Sequence, residues 1–163
     1  DISEGMLDEA RSKADEAGIE NVEFGVGRFR DPNYEGPVDT GSSETPQADA
    51  RSTRVDIVTS NLAMHHLSDA EKREAIAGIA DLDPRRFVLG DVMFFGTPDP
   101  DEPFYSPEVD DPATVGTLVD ALTDEGFVLT AVERVHDQVG VLVAERFGAA
   151  SERVGVVPKQ SEE

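Results

Sequence analysis

Residues 55–94 read VDIVTSNLAMHHLSDAEKREAIAGIADLDPRRFVLGDVMF, and their pattern decides the fold. Val55–Leu62 has the character of a buried strand. Ser68 and Glu71 stand in S-x-x-E spacing, a capping box that opens a helix reaching about Ala80, with Ala75, Ile76, Ile79 and Ala80 as its core stripe. Arg86–Phe94 is a near-continuous apolar run, the kind found where a parallel strand is covered on both faces. Strand, helix and strand within forty residues make one crossover unit of an α/β sheet.

The pattern continues on both sides of this unit. Upstream, Ser3 caps a helix over Glu4–Ala17, with Met6, Leu7, Ala10, Ala14 and Ala17 on one face and Gly18 as its stop. A short strand is expected at Val22–Val26, ending at Gly27. Residues 36–54 are turn formers with few large apolar side chains and read as a mobile surface loop. Downstream, Gly96–Pro112 holds Phe104 and Tyr105 and reads as a loop over a site. Asp111 is the expected cap of a third helix, with Pro112 at its first position. Phe127–Val135 and Gln138–Arg146 then form an antiparallel hairpin around His136-Asp137. The expected fold is α/β: a Rossmann-like, mostly parallel sheet with helices on both faces and a C-terminal hairpin. One domain spans 1–147, and 148–163 is a flexible acidic tail.

Composition narrows the function. The chain has 163 residues, no cysteine and a formal charge of −21. Without cysteine there is no disulfide framework, no thiolate zinc site and no cysteine nucleophile. No apolar run is long enough to span a membrane. The acids are spread, with 13 in residues 1–50, 8 in 51–100 and 11 in 101–150, while lysine occurs only at 13, 72 and 159. That balance reads as adaptation to a high-salt cytoplasm, where a Debye length of roughly 3 Å at molar salt screens self-repulsion. A field of this sign opposes a nucleic-acid partner. No G-x-S-x-G elbow supports a serine nucleophile. Adjacent histidines rarely point at one ion, so no metal site is expected from His65 and His66.

Ligands of parallel α/β sheets bind beyond the carboxyl ends of the strands. Those positions are Asp1, Gly27-Arg28-Phe29, Asn61 to His66, and Asp91. Here the chain resembles the class I S-adenosylmethionine-dependent methyltransferases of the small-molecule type. Four stretches carry the resemblance: DISEGMLDEA at 1–10, VDIVTSNLAMHHLSDAEK at 55–72, RFVLGDVMF at 86–94 and LTDEGFVLTAVERVHDQVGVLVAER at 122–146. The family's first strand and glycine-rich loop lie upstream of the D-x-S segment, so the resemblance implies a fold lacking its first strand within these residues.

The resemblance implies S-adenosyl-L-methionine as cofactor and a small-molecule acceptor. It implies that Asp1 accepts from the ribose hydroxyls, a task suited to a two-oxygen acceptor. Ile2 would lie against the adenine, and Gly27, Arg28 and Phe29 would border it. Arg28 stands where the family often places an acid; it can stack on the base but not accept from it. The backbone of Asn61, Leu62 and Ala63 would flank the sulfonium end. His65 or His66 would serve as base if the acceptor must lose a proton. Asp91, Phe104 and Tyr105 would face the substrate. The alternative is a non-catalytic binding or interaction domain on the same scaffold.

Overall fold

The computed structural model describes residues 1–34, 55–97 and 105–147. The loop expected at 36–54, the tail at 148–163 and Phe104 lie outside the described residues.

Helix α1 runs over Glu4–Ala17 as expected, with the Ser3 hydroxyl accepting from the Met6 amide and Gly18 closing it in the left-handed region at φ 66°. Strand β1 (Ile57–Asn61) leads through a 3-10 turn (Met64–His66) into α2 (Asp69–Asp81), and the Ser68–Glu71 capping box is present in both directions. Next come β2 (Arg86–Val92), α3 (Val115–Asp124), β3 (Val128–His136) and β4 (Val139–Glu145). The sheet order is β1-β2-β4-β3. β1 and β2 are parallel, while β4 runs antiparallel to both β2 and β3. This is a Rossmann-like α/β arrangement closed by an antiparallel hairpin.

Alternate residues of the two central strands feed one core. Phe87 and Leu89 of β2 and Leu142 and Ala144 of β4 join Ile76 and Ile79 of α2, Leu118 and Leu122 of α3, and Phe127. Arg146 ties this core to its helices, donating to the carbonyls of Ala80 at 2.8 Å and Glu125 at 2.6 Å while its guanidinium lies 4.8 Å from the Phe127 ring centroid. Among the described residues no helix is long and apolar enough to cross a membrane.

Three expectations are corrected. The strand at Val22–Val26 does not form: Val22 and Val26 are 42% and 43% exposed. Its one ladder-like rung is with Asp1, whose amino group donates to the Gly25 carbonyl at 3.4 Å and whose carbonyl accepts from the Gly27 amide at 3.1 Å. A strand needs a neighbour along its length, and among the described residues this segment's backbone meets only Asp1 and the Asn33 side chain, which donates to the Val26 carbonyl at 3.3 Å. Helix α3 is capped by Thr114, not Asp111. Ala113 and Val115 are held by backbone bonds to Phe94, at 3.0 Å each, so the chain is still extended there and turns helical later. The hairpin turn is Asp137-Gln138, one residue beyond the expected pair, because His136 still pairs with Val139.

Candidate functional site

A cleft of about 1000 Å³ opens between residues 1–32 and the carboxyl end of β1. One wall begins at Asp1, whose Oδ1 accepts from the Ser3 amide at 2.8 Å, so the acid and the helix cap form one unit. The wall continues through a tight turn in which Arg28 and Asp31 exchange backbone hydrogen bonds of 2.8 and 3.1 Å. A Cβ on Gly27 would stand 2.5 Å from the Pro32 carbonyl oxygen, so only glycine lets the turn close. The turn is pinned to α2 by Arg30, which bonds Glu71 at 3.1 Å and Glu74 at 3.0 Å, and by Phe29, which packs against the core.

The facing wall is the end of β1. The Leu62 amide donates to the Gly90 carbonyl at 2.8 Å, and Leu62 itself has a φ of 49°. This left-handed residue turns the chain off the sheet and lines the cleft together with Asn61 and Ala63. The Asn61 Oδ1 lies 3.0 Å from where a Cβ on Gly90 would sit, so the bare glycine makes room for the amide. Ser60, also lining the cleft, carries a buried hydroxyl with no hydrogen-bond partner among the described residues. A buried polar atom without a partner is an unmet demand that a ligand can satisfy.

The two adjacent histidines have separate surroundings. His65 is buried, and its Nδ1 donates to Asp91 Oδ1 at 2.5 Å. Asp91 is buried too, and accepts from the amides of Met64 at 2.7 Å and Val92 at 2.8 Å. His66 is 57% exposed, lines the cleft, and meets Asp110 Oδ1 through Nδ1 at 2.6 Å. Asp110 Oδ2 accepts from the Ser106 amide at 2.8 Å. That bond, joined by the one to His66, holds the Asp110 carboxyl below its usual range. The segment carrying Asp110 is fixed by the neighbouring Asp111, whose amide donates to the His65 carbonyl at 2.7 Å. Buried Lys72 completes the anchor by donating to the carbonyls of both Leu67 and Asp111.

Every residue expected to contact a cofactor lines this one cleft: Asp1, Ile2, Gly27, Arg28, Phe29, Asn61, Leu62 and Ala63. His66 joins them, whereas His65 does not. Asp91, expected to face a substrate, is corrected to an internal hub whose oxygens are turned onto backbone amides and His65. Tyr105 packs edge-on to Phe94 with ring centroids 5.6 Å apart, away from the cleft lining. The sequence reading missed Asp110, Arg30 and the Ser60 hydroxyl. Asp110 sits next to the Asp111 read as a helix cap, and no local motif marks it.

No protein-family model matches the chain, and no curated protein matches it by sequence. Solved structures do match. The PH0226 protein from Pyrococcus horikoshii OT3 aligns with a TM-score of 0.62 at 17% identity, over 90% of this chain and 69% of that one. The mitomycin 7-O-methyltransferase MmcR aligns with a TM-score of 0.64 at 13% identity, over 88% of this chain and 40% of that one. Magnesium protoporphyrin IX methyltransferase (ChlM) from Synechocystis PCC 6803, solved with bound SAM, aligns with a TM-score of 0.59 at 19% identity, over 90% of this chain and 57% of that one. At these identities the likeness is one of fold: the chain is built as class I methyltransferases are.

Proposed function

We propose that this chain, built on the class I methyltransferase fold, binds S-adenosylmethionine in the cleft and passes its methyl group to a small-molecule acceptor. One observation carries the reading. Eight residues from three separate stretches, expected from strand-end places or from the family resemblance, line one cleft. They suit the group in kind: an acid for a vicinal diol, Ile2 and Phe29 for a flat base, and a strand-end backbone beside them.

When bound, S-adenosylmethionine supplies a methyl carbon already activated by positive sulfur. The residues here therefore bind, align and exclude water. Asp1 would hold the ribose, the 27–29 turn would border the base, and the backbone of Asn61–Ala63 would flank the reacting end. Calorimetry with S-adenosylhomocysteine tests this. Asp1→Ala is expected to weaken binding by roughly 1.5–3 kcal/mol, the loss of a charge-assisted hydrogen bond. Unchanged affinity removes Asp1 as the ribose ligand, and no binding by the unsubstituted protein removes the reading.

A further inference from the structure

Neighbouring side chains of a strand point to opposite faces, which makes adjacent histidines poor partners for one ion. His65 and His66 do not lie in a strand. They end the 3-10 turn Met64–His66, where their ring centroids stand 4.1 Å apart with the planes tilted by 45°. Asp110, 44 residues further along the chain, brings a carboxylate to the pair. We propose that His65, His66 and Asp110 form a binding site for one divalent ion of the zinc type, at the rim of the cleft. The site is independent of the methyltransferase reading and needs no methyl transfer.

One donor atom from each of the three residues lies within 4.8 Å of the other two. Asp110 Oδ1 is 2.6 Å from His66 Nδ1 and 4.0 Å from His65 Nε2. Two ligands of one tetrahedral ion, with bonds of about 2 Å, stand roughly 3.3 Å apart. The first distance is that of a hydrogen bond, and the second is too wide for one. A carboxylate movement on the order of 1 Å, away from His66 and toward His65, brings both to the ligand spacing. The ion then takes the place of the proton held between His66 and Asp110, which leaves to water.

Ligands of a built metal site are each oriented by a further contact. His65 Nδ1 donates to buried Asp91 at 2.5 Å, which leaves the lone pair on Nε2, the atom that faces Asp110. Asp91 is itself fixed by the amides of Met64 and Val92. Asp110 spends Oδ2 on the Ser106 amide at 2.8 Å and keeps Oδ1 for the ion. The two segments are locked together, since the Asp111 amide donates to the His65 carbonyl at 2.7 Å and Lys72 donates to the carbonyls of Leu67 and Asp111. Two imidazoles and one carboxylate suit zinc, whereas magnesium and calcium take oxygen ligands. Three protein ligands leave a fourth position for water or another small ligand.

Calorimetric titration of the full chain with ZnCl₂, after removal of metal by EDTA, tests the site. A chain carrying −21 offers many carboxylates, so the titration is run in excess MgCl₂, which competes for oxygen sites and not for imidazoles. One equivalent of Zn²⁺ bound with micromolar or tighter affinity is expected. His66→Gln, at an exposed residue, and Asp110→Asn, which keeps an oxygen for Ser106, should each weaken it about tenfold or more. In long-range ¹H–¹⁵N spectra, Zn²⁺ should shift His65 Nε2 and His66 Nδ1 together and leave His136 of β3 unchanged. Loss of binding in excess Mg²⁺, unchanged affinity in either variant, a response from His66 without His65, or no saturable binding overturns the site. If a variant fails to melt cooperatively, the spectra of the unsubstituted chain decide alone: both imidazoles coordinate, or the proposal falls.

Discussion

Asp91 and Asp110 each meet a histidine, and their surroundings set them different tasks. Asp91 satisfies two backbone amides and so belongs to the folding of the 3-10 turn. Asp110 satisfies one, from Ser106, and presents its other oxygen to His66. The Ser106 bond, then His66, lowers the Asp110 pKa. A carboxyl with a depressed folded value contributes stability that is present above its unfolded value near ~4 and is lost as pH falls through the folded one. The anchor of residues 105–111 should therefore persist at mildly acid pH and release only below about pH 4. The Ser106 amide proton shift, followed by NMR, should titrate with that low midpoint; a midpoint at or above the ordinary carboxyl value would contradict it. This contact was not legible in the sequence: His66 and Asp110 are 44 residues apart, and nothing local links them. The place of Asn61–Ala63 was legible because the end of β1 is a local property, whereas Asp1 rests on the family resemblance.

Elements whose signals are local came out as read. Helix α1 has its cap, its span and its glycine stop in consecutive sequence, and α2 has its capping box. Elements whose limits depend on distant backbone did not. The start of α3 is set by Phe94, and among the described residues Val22–Val26 lacks the neighbour that would make it a strand. β1 shows the same dependence from the other side. Among the described residues it pairs only with β2, and in a parallel ladder alternate amides face each neighbour. The Leu62 amide bonds Gly90, so those of Ser60 and Val58 face β2 as well, while Thr59 and Asn61 face the open edge beside the cleft. Hydrogen exchange should be slow at Val58 and Ser60 and much faster at Thr59 and Asn61. Equal protection at all four would mean that another strand pairs with this edge.

At the scale of the molecule, charge dominates. The described ion pairs are mostly at the surface, such as Arg30 with Glu71 and Arg73 with Asp124, and each contributes little. Salt weakens such pairs slightly, but it also screens the mutual repulsion of a chain carrying −21. The second effect should win: the melting midpoint is expected to rise from dilute buffer to molar KCl, and a flat or falling midpoint would refute the high-salt reading. The same composition meets a limit at Lys72. The chain uses arginine for most of its cations, yet the fully buried cation among the described residues is a lysine. There one nitrogen must serve the carbonyls of Leu67 and Asp111 together. An ammonium does this from a point, whereas a guanidinium spreads its donors over a rigid plane and would wedge the two carbonyls apart. A drift toward arginine that the surface tolerates everywhere else would thus be felt here as a displaced Asp110, linking the bulk composition of the chain to the alignment of one imidazole.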